Sequence, residues 1–175
     1  NIDCKKSKFG NPQQILEYLN RLTDEQETCF NLLNDRAVLK GQIGFLNLFH
    51  YTQENVAGTC KPFDSDWFAD IQNFLMNSVP EKSGCAGMIV FEGQNAEGEN
   101  CFFIKLRRAV KFSGIDLRTA EGKLKELFGD LYMGGGGHAG AASFRIHPLD
   151  EKVFLDKIET VLDFFNASLL ASTNK

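Results

Sequence analysis

Gly134-Gly135-Gly136-Gly137-His138-Ala139-Gly140-Ala141-Ala142-Ser143 stands between a predicted helix and a predicted strand. Each glycine in such a run costs about 0.5–1 kcal/mol relative to alanine when its backbone is fixed. A compact domain keeps glycines where the backbone needs positive φ angles or approaches a ligand closely. The run therefore predicts a loop in which the amide N–H groups of Gly135, Gly136 and Gly137 cradle a phosphate and His138 adds a side-chain donor. A tight glycine corner beside a surface histidine is the alternative, and composition leaves it open.

Four segments outside this run have the pattern of strands. Ala86–Glu92 and Asn100–Arg108 are joined by GQNAEGEN, which is rich in turn residues, and this arrangement predicts a hairpin. Ala141–His147 alternates as a strand directly after the glycines. Residues 42–51, QIGFLNLFHY, form an apolar run without a helical stripe, which indicates a buried strand.

The remaining segments have the apolar spacing of helices. Asp116 and Asp150 are N-cap residues of two of them, and Gly129 is the predicted C′ residue of the first. A helix that begins near Asp64 and ends at Pro80 has an inward stripe of Trp67, Phe68, Ile71, Phe74 and Leu75. This alternation of elements is typical of the α/β class, and we expect a mixed sheet of about five strands flanked by helices.

The N-terminal residues predict a helical arm. Pro12 opens one helix, and Thr23-Asp24-Glu25-Gln26 is a capping box that predicts the start of a second. That second helix directs Phe30 and Leu33 inward. The chain begins with Asn1 rather than Met, from which we expect a processed or excised fragment.

Charge is concentrated in one part of the sequence. Residues 105–125 hold seven Lys and Arg side chains against two acidic ones, although the whole chain has a net charge of −4 and a pI of about 5.4. An acidic chain argues against a general nucleic-acid coat, which needs a broad basic surface. The basic segment suits a localised anionic ligand, and a solvated helix face is the open alternative.

The cysteines and the hydropathy indicate the cellular setting. Five cysteines without a CxxC pair do not predict a disulfide framework, and they fit a reducing cytoplasm. No signal-peptide core is present, and no apolar run is long enough to cross a bilayer, so we expect no membrane association.

The motif GGGGHAGAAS resembles the glycine-rich GGGH signature of the DHH-associated domain, the C-terminal half of the DHH-superfamily phosphoesterases. That family includes oligoribonucleases, cyclic-dinucleotide phosphodiesterases, exopolyphosphatase-related proteins and RecJ-type exonucleases. FIKLRR at residues 103–108 resembles a family strand in which Arg107 matches an arginine that contacts substrate phosphate. The neighbouring Arg108 leaves that assignment open. Asp130-Leu131-Tyr132-Met133 departs from the family pattern, and we expect this insertion to lengthen the lip of the cleft.

The resemblance implies a division of labour between two domains. Residues 1–60 are expected to be linker helices and a connecting strand toward a missing N-terminal DHH domain, and residues 61–175 the DHH-associated substrate-binding domain. The family binds two metal ions, typically Mn²⁺, in the catalytic half. The Asp-His-His motif is absent here, and Asp64, Asp66 and Asp70 fit helix capping better than metal binding. We therefore expect this chain alone to be inactive.

The resemblance implies that the parent enzyme hydrolyses phosphodiesters of short RNA or DNA or of linear or cyclic dinucleotides. The implied substrate-binding residues are Arg107, Gly135, Gly136, Gly137 and His138. A stand-alone nucleotide or nucleic-acid binding module is the main alternative. The C-terminal domain of alanyl-tRNA synthetases and a structural dimerisation domain are two others, and homodimer formation is left open.

Overall fold

The computed structural model describes the backbone of residues 12–49 and 65–173 and, besides Gln13, the side chains of residues 24–49 and 71–172. Six strands form one mixed sheet: β1 Val38–Lys40, β2 Ile43–Asn47, β3 Ala86–Gln94, β4 Asn100–Arg108, β5 Tyr132–His138 and β6 Ala141–Ile146. Their order is β1-β2-β3-β4-β6-β5, and every neighbouring pair is antiparallel except β2 and β3. The predicted mixed α/β architecture is confirmed, with six strands rather than about five.

Helices cover both faces of this sheet. They are α1 Pro12–Asp35, α2 Ser65–Ser78, α3 Ala120–Phe128 and α4 Glu151–Thr173, with short 3₁₀ turns at Val79–Lys82, Leu117–Thr119 and Gly129–Leu131. One core lies between the sheet and α3 and α4, and it takes Phe102, Ile104 and Leu106 from β4. The other lies between the sheet and α1 and α2 and contains Ile89 and Phe91 from β3. Since β2 pairs with β3, residues before and after position 60 contribute to one sheet.

The predicted second N-terminal helix is wrong, because residues 23–26 lie inside the continuous helix α1. No glycine or proline interrupts residues 13–35, so nothing in the sequence forces a first helix to end before residue 23. Leu33 is fully buried and Phe30 partly buried, as the inward stripe predicts. The stripe of α2 holds at Ile71 and Leu75 but is wrong at Phe74, which is 60% exposed and meets Phe30 edge-on.

The predicted boundaries of the helices in the C-terminal half of the chain are confirmed. The Asp116 carboxylate accepts a hydrogen bond from the Arg118 N–H at 3.0 Å, ahead of the 3₁₀ turn that leads into α3. Asp150 accepts from the Val153 N–H at 3.0 Å at the start of α4. Gly129, with φ of 52°, ends α3. No helix among the described residues is both long enough and apolar enough to cross a membrane.

The glycine run differs most from its prediction, since it forms strand β5 at the edge of the sheet rather than a loop. A side chain at Gly135 or Gly137 would collide with the backbone of β6, so these glycines let two strands pair closely. Gly134 has a φ of 103°, which other residues rarely adopt, at a bulge in the pairing. The predicted loop is therefore wrong. Successive N–H groups of a strand point to opposite edges, and phosphate binding by the amides of Gly135, Gly136 and Gly137 stays a prediction.

The Asp130–Met133 insertion, for which we predict a role as a cleft lip, leads from α3 into strand β5. Residues 129–131 form a 3₁₀ turn, and Tyr132 begins β5 and packs against the core beneath α3 and α4. The Leu131 carbonyl accepts a hydrogen bond from the His147 N–H at 2.8 Å, so the insertion is tied to the end of β6.

Candidate functional site

Two rows of side chains cross three strands on the sheet face that α2 partly covers. Arg107 and His138 are both cross-strand partners of Ala141, from β4 and β5 respectively. Because neighbouring strands are about 4.8 Å apart, the Cα atoms of Arg107 and His138 are about 10 Å apart. Ala141 has only a methyl group, so it leaves space above the sheet between the longer side chains of Arg107 and His138.

The second row lies two residues further along each strand. Lys105 and Gly136 are both cross-strand partners of Ser143. Since residues two apart on a strand share a face, this row and the first form one surface. That surface and α2 enclose an open cleft of about 260 Å³, to which α2 contributes Asn73 and Met76.

Arg107 is oriented by α2. Its Nη1 donates to the Oδ1 of Asn77 at 2.7 Å, and both side chains are exposed. The guanidinium has five N–H donors, so one bond to an amide leaves others for an anion. The charge of Arg107 is thus held at the mouth of the cleft.

His138 is fixed by the turn that joins β5 to β6. Its Nδ1 accepts a hydrogen bond from the Gly140 N–H at 3.2 Å. A neutral imidazole that accepts at Nδ1 has its proton on Nε2. The exposed His138 ring therefore has a donor nitrogen at the edge of the ring away from this turn.

Lys105 is the partly buried cation of the cleft. Its Nζ donates to the Oε1 of Gln72, a buried side chain of α2, at 3.2 Å and lies 5.4 Å from the centre of the Phe91 ring. Burial lowers the pKa of Lys105, because desolvation disfavours its charged form. A bound anion favours that charged form, so the site gains from placing negative charge beside this amine.

The three predicted glycines do not contribute equally. Gly136 lies on the cleft face, and a methyl group added there meets no atom within 4 Å. Gly135 and Gly137 pair with residues whose side chains point to the other face, Phe144 and Ala142. Only Gly136 therefore lines the cleft by the absence of a side chain, whereas the other two are needed for strand pairing.

Arg107 and Arg108 have different surroundings. The guanidinium of Arg108 donates to the carbonyl oxygens of Ser113 at 3.4 Å and Ile115 at 3.1 Å. These bonds hold the loop that follows β4. Arg107 is therefore the arginine that faces His138 across Ala141, as strand alternation predicts.

No three or more His, Cys, Asp and Glu side chains come together as a metal site in the part of the chain that the structure describes. The side chains of Asp64, Asp66 and Asp70, and all of His50, lie outside that part. The described residues do not fit the two Mn²⁺ ions that the family resemblance implies for the catalytic half.

Sequence reasoning missed the contribution of α2 to the site. Asn73 and Asn77 give no sequence signal, because a polar residue on a helix is ordinarily a solvated one, and Met76 gives none, because an apolar residue on a helix is ordinarily a core one. Ser143 could have been found, since it lies two residues from Ala141 on the predicted strand. The pairing of β6 with β4, which brings Ser143 next to Lys105, could not be predicted from the sequence.

Comparison with known proteins supports the fold. No family model matches the chain, and no curated protein matches it in sequence. The pGpG-specific phosphodiesterase PggH from Vibrio cholerae matches in structure with a TM-score of 0.50 and 16% identity, over 87% of this chain and 43% of that chain. RecJ from Thermus thermophilus in complex with Mn²⁺ has a TM-score of 0.48 and 16% identity, over 83% of this chain and 17% of that chain.

This chain thus spans less than half the length of either protein. The match to PggH is a likeness of fold at low identity. This chain and the matched part of PggH therefore share a fold, and in this chain the glycine–histidine strand β5 and the arginine strand β4 lie on either side of β6.

Proposed function

We propose that this chain is the substrate-binding part of a metal-dependent phosphoesterase that acts on short oligonucleotides or on linear or cyclic dinucleotides. The observation that carries the proposal is the placement of Arg107 and His138 as the two cross-strand partners of Ala141. The name of PggH describes a phosphodiesterase of a linear dinucleotide, which is one member of the proposed substrate class.

In this proposal a substrate phosphate lies over Ala141. Arg107 donates N–H groups from one side, and the Nε2 of His138 donates from the other. Charge-assisted hydrogen bonds of this kind are shorter and stronger than neutral ones. The bonds from Arg107 to Asn77 and from Gly140 to His138 hold both donors before substrate arrives, so less orientational freedom is lost on binding.

The second row of residues, Lys105, Ser143 and Gly136, extends the proposed phosphate-binding site. Lys105 adds positive charge at the base of the cleft, and Gly136 leaves room for the substrate backbone above the sheet. β5 is an edge strand, so alternate amides between Gly135 and Gly137 point away from β6. These outward amides are available as further phosphate donors.

Hydrolysis in this proposal belongs to another part of the protein. A DHH domain N-terminal to this chain would bind Mn²⁺, and those ions would supply the activated water. The residues described here bind and orient the substrate phosphate. If no such domain accompanies the chain, the same cleft acts as a nucleotide-binding module without catalysis.

The test compares two histidines in the longer protein assayed with Mn²⁺ and a dinucleotide. A hydrogen bond to a charged phosphate is worth about 1.5–3 kcal/mol, so His138→Ala should lower kcat/KM about ten- to a hundred-fold. His147→Ala, at an exposed histidine beyond the far end of β6, should leave it unchanged. His138→Ala should change the free energy of unfolding by about 0.5 kcal/mol. A lower melting temperature with unchanged kcat/KM would show that His138 is structural.

A further inference from the structure

A second cleft adjoins the first and shares Arg107 with it, and Asn77 lines the second cleft. It has a volume of about 240 Å³ and is also lined by Arg108, Ala109, Val110, Phe112 and Gly140. The first cleft lies on the sheet face, and the second lies where β4 and its following loop leave the sheet. Arg107 therefore lines both clefts.

Both spaces are positively charged. Lys105, Arg107 and Arg108 supply this charge, His138 adds a hydrogen-bond donor, and no Asp or Glu is among the described residues of either lining. Two carboxylates flank the second cleft. Glu81 accepts from the Val110 N–H at 2.7 Å and keeps its charge, whereas Asp116 is paired with Arg118 at 2.6 Å. In a chain of net charge −4, such a continuous basic lining suits a ligand with more than one negative charge.

The second cleft is held in shape by backbone hydrogen bonds. The Arg108 N–H donates to the Gly140 carbonyl at 2.9 Å, and the Leu117 N–H donates to the Ala139 carbonyl at 3.0 Å. The Arg108 guanidinium also donates to the Ser113 and Ile115 carbonyls, which fix its position without removing its charge. A positive charge of fixed position is thus present in the second cleft before a ligand binds.

The wall of the second cleft is apolar beside this charge. Val110 is 89% exposed, and Phe112 is partly buried against the core. An aromatic ring and an aliphatic side chain next to guanidinium groups suit a nucleobase attached to a phosphate. An inorganic polyphosphate has no group that would use this apolar wall.

We infer that a single-stranded oligonucleotide of three or more nucleotides occupies both clefts, passing Arg107 and placing its additional phosphate near Arg108 and a base against Val110 and Phe112. This inference rests on the proposed phosphate site between Arg107 and His138. On this inference the substrate is an oligonucleotide that fills both clefts, whereas a dinucleotide fills only the first.

The test measures binding of unlabelled RNA dinucleotide, trinucleotide and tripolyphosphate to this 175-residue chain by titration calorimetry. One further charge-assisted contact should make the trinucleotide bind about ten-fold more tightly than the dinucleotide. Single-strand affinity falls with salt by about 0.7 in logarithmic slope per phosphate contacted, so the trinucleotide should show the steeper slope by about that amount.

Two matched substitutions locate the extra contact. Val110→Glu adds a negative charge in the second cleft and should weaken trinucleotide binding about five- to ten-fold more than dinucleotide binding. Val153→Glu makes the same change on α4 and should leave both affinities unchanged. The neighbouring Phe154 ring contacts Phe102, which lies near the end of β4 opposite to Arg107, so this control is far from both clefts. Both sites are exposed, so neither variant should unfold the chain.

Other outcomes overturn the inference in distinguishable ways. Equal affinity for both RNAs, or equal weakening of both by Val110→Glu, refutes the second-cleft path and leaves the proposed function standing. Tripolyphosphate that binds as tightly as the trinucleotide refutes an oligonucleotide as the occupant. Failure of both RNAs to bind refutes the proposed phosphate site and this inference with it.

Discussion

The guanidinium of Arg107 donates to the side-chain oxygen of Asn77 at 2.7 Å, which ties strand β4 to the last turn of α2. This bond fixes the one arginine that both clefts share.

Asn77→Ala should weaken dinucleotide binding about five-fold, because Arg107 loses its orientation and an exposed hydrogen bond is worth about 1 kcal/mol. Asn77→Asp should weaken binding more, since a carboxylate competes with phosphate for the guanidinium. Calorimetric affinity of this chain measures both effects. In an Arg107→Ala background the Asn77→Ala change should have no further effect on affinity, as expected of a positioning residue. An undiminished effect in that background would contradict the role.

Gly136→Ala should leave the chain as stable as before or more stable by up to about 1 kcal/mol, because alanine has less backbone freedom to lose on folding. A methyl group there meets open space in the protein but projects into the cleft, so dinucleotide affinity should fall about ten-fold. Urea unfolding and calorimetry measure the two quantities on one variant.

Gly135→Ala is the matched control for the glycine strand. Its added methyl group would collide with the Ser143 carbonyl and the Phe144 backbone, so we expect a destabilisation of about 1–3 kcal/mol. If Gly136→Ala bound dinucleotide normally, the glycine run would have only the structural role that Gly135 has.

Dinucleotide affinity should fall at alkaline pH because of Lys105. Burial lowers the pKa of its amine, so the charge is lost as pH rises through a value below the ordinary 10.5. Lys105→Met should lack this alkaline limb and bind about ten-fold more weakly near pH 8, since one charge-assisted contact is missing. Calorimetry from about pH 8 to about pH 10 tests the sign. An identical limb in the variant would assign the titration to another group.

Because of Asp116, the stability of the fold at the start of α3 should depend on pH in the acidic range. Hydrogen bonds from Arg118 lower the pKa of the Asp116 carboxyl from 3.8 to about 2. A carboxyl with a depressed folded-state pKa stabilises the fold above its unfolded pKa and loses that effect as pH falls through the folded value. The melting temperature of Asp116→Asn should therefore be lower than that of the wild type at neutral pH, and the gap should narrow below pH 3.8. A gap that did not change with pH would mean that the carboxylate charge is not involved.

Periodicity by itself determined most of the secondary structure. Strands β2, β3, β4 and β6 and the helix ends at Asp116, Gly129 and Asp150 follow from alternation, apolar spacing and capping chemistry. These signals are local, because a cap or an alternating strand is specified by residues only a few positions apart. Alternation also placed Lys105 and Arg107 on one face of β4 before any partner strand was known.

Tertiary structure alone decided what the glycine run is. Four glycines have no side-chain periodicity, so a loop and an edge strand look the same in sequence, and only pairing with β6 makes the run a strand. The same pairing brings His138 opposite Ala141 and thereby to Arg107, 31 positions earlier in the chain. Asn77 enters the site for a similar reason, since its position depends on how α2 packs against β4. A single sequence records which residues can bind phosphate, but the distances between them arise from long-range pairing and packing.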